Sequence, residues 1–152
     1  MLKTLHAVAG ALALATICTF WGATAITEAA GATAAVVMVK TWIPWGFFVL
    51  IPALMVAGGS GFRLGQGWRA GLVEAKRRRM PIIAINGLVI LVPSALILSI
   101  RAQAGQFDTL FYAVQGVELL AGAANIVLLG MNMRDGLRLR RRDAVLAQAG
   151  RG

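Results

Sequence analysis

The sequence predicts an all-α integral membrane protein, a four-helix bundle with both termini in the cytoplasm, and three observations carry that prediction. Of the 152 residues, 59% are hydrophobic and only 14% charged, with a mean hydropathy of +0.76, too apolar a balance for a soluble domain of this length. Four stretches, 4–27, 41–62, 80–100 and 109–133, are free of charge or nearly so. Each is long enough as a helix to cross a hydrocarbon layer of about 30 Å, which takes roughly 20 residues. The remaining charges are sorted by side: Arg63, Arg69, Lys76, Arg77, Arg78 and Arg79 meet only Glu74 between the second and third stretches. After the fourth, Arg134, Arg138, Arg140, Arg141, Arg142 and Arg151 outnumber Asp135 and Asp143, and Lys3 precedes the first. The other connections balance, Glu28 with Lys40 and Arg101 with Asp108, so the basic side is cytoplasmic by the positive-inside rule.

The chain therefore divides into a transmembrane domain, 1–133, and a basic cytoplasmic tail, 134–152. The net charge of +9 is a topology signal that also draws anionic lipid headgroups to the basic loop and tail, and it requires no nucleic acid. The expected location is the bacterial inner membrane, in a lipid bilayer, as a homo-oligomer or beside other membrane subunits.

The first stretch is alanine-rich, with Gly10 and Gly22, and small residues let membrane helices approach closely. Its apolar run is too long for a cleaved signal peptide, although Ala23-Thr24-Ala25 has the form of a cleavage site. Trp21 and Trp42 fall near the outer boundary, where amphipathic rings settle. Cys18 is the single cysteine and forms no internal disulfide. The apolar piece at 29–39 is too short to span and is read as an interfacial helix.

In the second stretch Pro44 falls in the first turn and Pro52 inside, where it removes a hydrogen bond and bends the helix. The glycine-rich GGSGFRLGQGW that follows is a flexible cytoplasmic exit without the GxxxxGK[ST] phosphate-binding pattern. In the third, Pro81 opens the helix at no cost in hydrogen bonds, and Pro93 gives a second bend. Irregular backbone in a bilayer persists only where it is buried or lines a cavity. The tail continues as a surface helix with leucines against lipid.

The fourth stretch carries the chemistry. Phe111, Gln115, Glu118, Gly122, Asn125, Leu129 and Asn132 are spaced by threes and fours and share one stripe, which has to face inward because its polar groups are costly toward lipid. Gly122 leaves room beside Glu118 for a backbone or a ligand. Glu118 lies about 15 Å below the outer surface, where a lone carboxylate has to be protonated or paired. No lysine or arginine falls within the four stretches to pair with it. Gln115 braces it one turn away, Asn86 of the third stretch stands opposite Asn125 or Asn132, and Tyr112 closes the polar pocket near the outer boundary. These residues are candidates for proton transfer or for a polar cavity.

His6 is the only histidine. It is read either as a hydrogen-bonding residue or as a ligand to haem iron, with Met80, Met131 or Met133 at comparable depth to supply sulfur on the other face. HExxH, CxxC, CxxCH and GxSxG are all missing from the sequence, so neither a dedicated metal site nor nucleophilic catalysis is expected, and the chain does not read as a complete enzyme.

The opening MLKTLHAVAGALAL, with FWG at Phe20 to Gly22, resembles the start of compact bacterial membrane families, among them the copper-resistance D-type proteins and the small membrane-type protoporphyrinogen oxidases. The resemblance implies an all-helical fold and haem b held by His6; the later histidines of those families have no counterpart here. Length and topology are also similar to those of the small multidrug-resistance transporters, whose essential glutamate lies in the first helix rather than the fourth. Three readings follow. The first is a small subunit or carrier associated with haem or quinone that supports electron or proton transfer. The second is a homodimeric proton-coupled transporter using Glu118, and the third a structural or assembly subunit of a larger membrane complex.

Overall fold

Gly31 and Gly105 set the two connections at one end of the bundle. In the computed structural model, which describes residues 1–64 and 71–149, both have positive φ, 62° and 67°, a conformation that costs glycine little. Each closes a helix by the same paired bonds. At the first, Gly31 N–H donates to Glu28 O at 3.0 Å and Ala32 N–H to Thr27 O at 3.4 Å; at the second, Gly105 N–H donates to Ala102 O at 3.1 Å and Gln106 N–H to Arg101 O at 2.9 Å. These Schellman motifs satisfy carbonyls that a helix end otherwise leaves orphaned.

The first ends α1 (Leu2–Ala29) and lets α2 begin at once, so that it runs Thr33–Leu64. This corrects two expectations. Residues 33–39 form no separate interfacial helix but the first two turns of α2. Pro44 and Pro52 are both interior to it, where Pro44 was expected in the first turn. The glycine-rich exit is helical as far as Leu64, and its residues 65–70 lie outside the described residues.

The third span is built in three pieces, α3 (Gly71–Ile85), a π-helical turn (Asn86–Leu91) and α4 (Val92–Gln103). Pro81 lies inside α3 rather than at its start, and Pro93 stands in the first turn of α4, where its missing donor is tolerated. The irregularity expected of Pro93 is thus a wide π turn just before it. Asp108 then starts α5 (Thr109–Ala149) by accepting a bond from Phe111 N–H at 3.0 Å, the N-cap arrangement. α5 is continuous through Met133 into the basic segment, and 150–152 lie outside the described residues.

Four segments, Leu2–Ala29, Thr33–Leu64, Arg78–Gln103 and Thr109–Arg138, are long and apolar enough to cross a bilayer, and the chain is a multi-pass, all-α membrane bundle. α1 packs on α2 and α5, and α4 closes the ring against α2 and α5, so both termini lie at the same end. Ala13, Ile17, Leu50, Ala53, Ile83 and Leu129 form the inner half of the core; Val36, Leu98, Ala102 and Phe111 form the outer half. Large apolar side chains such as Trp42, Trp45, Phe48, Met55, Leu88 and Leu120 are exposed around the perimeter, as a lipid-facing surface requires. Hydroxyls inside the helices bond back to their own carbonyls, Thr16 to Leu12 at 2.8 Å and Thr19 to Ala15 at 2.9 Å, so they present no unmet polarity there.

Candidate functional site

The inward stripe of α5 is as the spacing predicts. Phe111, Gln115, Gly122, Asn125, Leu129 and Asn132 are buried, Glu118 nearly so, and the stripe continues to Asp135. Different partners along its length divide it into layers.

The outer layer holds an ion pair that the sequence reading missed. Lys40 donates to Glu118 Oε2; the lysine side chain is 0% exposed and the glutamate 12%. Starting α2 at Thr33 carries Lys40 about 10 Å into the bundle, and Glu118 is about 14 Å from the start of α5. The flexible lysine stem covers the remaining offset. The turn at Gly31 moves Lys40 from the outer connection into α2, so Glu118 is paired and not alone. Thr24 of α1 accepts a second bond from Lys40 Nζ at 3.4 Å. Glu28, one turn further out on α1, acts on the same ammonium through its charge.

Gln115 is 4% exposed, and neither its Oε1 nor its Nε2 has a hydrogen-bond partner; Oε1 of Glu28 is likewise buried and unpartnered. Immediately inward of the pair is a cavity of ≈ 50 Å³ lined by Thr24, Glu118, Trp21, Ile43, Leu91 and Gly122 among others. Gly122 does leave room, but for Trp21. The indole N–H donates to Leu119 O at 2.9 Å, and a Cβ at position 122 would lie 3.0 Å from the ring. Trp21 is therefore a clamp between α1 and α5 rather than a member of an interfacial belt.

The middle layer is made of amides. Asn86 Nδ2 donates to Ala121 O at 2.8 Å and to Asn125 Oδ1 at 2.9 Å, and Asn125 Nδ2 reaches Ile83 O at 3.4 Å. The expected Asn86–Asn125 match is present, at the first residue of the π turn, where it ties the irregular backbone to α5. Toward the termini Asn132 Nδ2 donates to Met80 Sδ at 3.4 Å, and Arg79 Nη1 to Asp135 Oδ2 at 2.7 Å. Tyr112 is exposed, its ring edge-on to Phe111 at 5.4 Å, and it stands outside the buried cluster.

His6 faces α2. Its Nδ1 lies 2.9 Å from Ala57 O and 3.1 Å from Ser60 Oγ, and its ring sits so close to Gly61 that a Cβ there would be 3.0 Å from Cε1. Donation from Nδ1–H to the carbonyl joins the two helices. The cavity begins at Ile17 on α1, about 16 Å along the helix from His6, so it does not serve that ring. Met80 packs in the core, Met131 is half-buried and Met133 exposed. Among the described residues no three or more His, Cys, Asp or Glu side chains are grouped to hold a metal ion.

At the outer end Arg101 pairs with Asp108. The Phe111 N–H, followed by the Arg101 guanidinium, holds the Asp108 carboxyl below the usual carboxylate range.

Comparison of the chain with protein-family models, with curated proteins and with solved structures finds no match.

Proposed function

We propose that this protein is a small proton-coupled carrier of the bacterial inner membrane that exchanges protons for a cationic substrate, with the Lys40–Glu118 cluster as its exchange site. The observation that carries the reading is the burial of an ammonium and a carboxylate together in the outer half of a membrane bundle. Such charges are expensive there, and their usual reason is an ion or proton path. Desolvation makes a buried pair a poor source of stability compared with apolar residues of the same volume, so stability alone does not account for it.

The pair separates two features a carrier needs. Outward lie the unpartnered Oε1 of Glu28 and the unpartnered amide of Gln115; inward lies the cavity that Glu118 and Thr24 border. Protonation of the carboxylate, or its capture by an incoming cation, releases Lys40 and opens the way between them. The π turn and the paired amides beneath supply an element that can shift register.

In vesicles containing the purified protein and an internal pH dye, an imposed cation gradient is expected to drive counter-movement of protons, and Glu118→Gln is expected to abolish it. Cation-driven proton movement at the wild-type rate in that variant would overturn the proposal. A haem-bearing subunit is the second reading, favoured by the Nδ1–H bond from His6 to Ala57 O, the bracing that ligating histidines have. A b-type oxidised-minus-reduced spectrum lost in His6→Ala would replace the carrier reading.

A further inference from the structure

We infer that the layer just outside the ion pair is a binding site for a small monovalent cation of the Na⁺ class, with Glu28 as its charged ligand and Gln115 as its neutral one. The inference rests on the carrier reading and names its substrate class.

Charge comes first. Lys40 is bonded to Glu118 and lies within electrostatic range of Glu28. α2 and α5 are the helices packed on α1, and in their outer halves the titratable groups are Lys40, Glu118 and the exposed phenol of Tyr112. Glu118 is already neutralised by Lys40. With every group ionised the cluster is one positive charge short, and the uncompensated carboxylate is that of Glu28.

Position comes second. Phe111 and Val36 pack together in the outer core, while Glu118 and Lys40 meet one layer inward. Gln115 lies one turn from each of its neighbours on α5, as Val36 lies one turn from Lys40 on α2. Glu28 lies one turn outside Thr24, which touches Lys40. The register therefore brings Glu28 and Gln115 into one layer, and each has a buried oxygen without a hydrogen-bond partner. A buried carboxamide that makes no hydrogen bond is costly, and a hard cation takes carboxylate and amide oxygens together.

The test uses the purified full chain in detergent micelles, titrated with NaCl against choline chloride at constant ionic strength, reading the thermal midpoint. Wild type is expected to gain midpoint with Na⁺ and not with choline. Glu28→Gln should abolish the response, Gln115→Leu should weaken binding about tenfold, and Tyr112→Phe should leave it unchanged. The midpoints in choline chloride, together with a weakened but retained response in Glu28→Asp, separate loss of binding from loss of fold. Na⁺ responses that persist in Glu28→Gln would overturn the assignment, as would the absence of any response in wild type. If vesicles still show Glu118-dependent proton exchange in either case, the carrier reading stands without this site; if they do not, both fall.

Discussion

Replacing Lys40 by Met removes the ammonium and keeps an apolar stem of similar volume, which isolates the charge. The Glu118 carboxyl then remains in a place reached by little solvent, 12% exposed, and breaking a buried pair in this way costs about 3–5 kcal/mol. Protonation sets a ceiling. For a glutamate side chain in water, taking up a proton at pH 7 costs about 3.7 kcal/mol from its reference value, and that cost falls by about 1.4 kcal/mol for each unit the pH is lowered. Lys40→Met is therefore expected to lose up to about 3.7 kcal/mol at pH 7 and about 1 kcal/mol at pH 5. Glu118→Gln leaves the opposite orphan. Neutralising a lysine in water at pH 7 costs about 4.6 kcal/mol, and this penalty falls as the pH rises; Glu28, in range of the same ammonium, keeps the loss below that ceiling. The double variant Lys40→Met/Glu118→Leu removes both charges of the pair and is expected within about 1 kcal/mol of wild type or above it. The assay is unfolding from mixed micelles by a denaturing detergent between pH 5 and 8. Parallel pH responses in the two single variants, or a double variant that loses as much as the singles combined, would refute the reasoning.

Three further outcomes follow from particular contacts. Asn86→Leu removes the bonds to Ala121 O and Asn125 Oδ1 and is expected to cost about 1 kcal/mol, in the range found for interhelical bonds in membranes, with faster amide exchange across the π turn; unchanged exchange there would show that Asn86 does not hold it. Gly46→Ala drives a methyl group into the Phe20 ring and is expected to cost about 1–3 kcal/mol as overpacking, relieved by Phe20→Leu in the same chain; additive effects of the two changes would contradict the contact. Asp108 has its carboxyl held below the usual range, so its stabilisation of the start of α5 is present above the unfolded carboxyl's titration and lost as pH falls through the lower folded value. Protection of the Phe111 amide should fall in acid accordingly, and Asp108→Asn, which still caps, should remove the pH dependence while keeping protection. An acid profile unaffected by that substitution would assign it to another group.

Much of the fold was legible because it follows from solvent. Charge-free stretches of membrane length and one-sided arginines imply four spans whatever the details of packing. The polar stripe of α5 was equally legible, since 3.6-residue periodicity and the cost of amides in lipid leave it one direction to face. The partner of Glu118 was not, and the reason is local. EAAGATAAVV reads as an apolar piece between spans until Gly31 is taken as the left-handed residue closing α1; α2 then starts at Thr33 and Lys40 is inside. The same Gly31 signal would have moved Pro44 into the helix interior. The Trp21 clamp on Gly122 was hidden because hydropathy assigns tryptophan to the interface by type, whereas here its N–H finds a carbonyl across the bundle. The Schellman turn at Gly105 was as visible as that at Gly31, but no charged residue changes side on its account.

The central claim is that the buried pair is retained for exchange and not for stability, and the double variant Lys40→Met/Glu118→Leu tests it most directly. Cation-driven proton movement is measured in vesicles containing the variant, after its unfolding curve has shown wild-type stability. The account predicts a folded protein with no exchange. Exchange at the wild-type rate would contradict it and leave the pair a structural contact between α2 and α5.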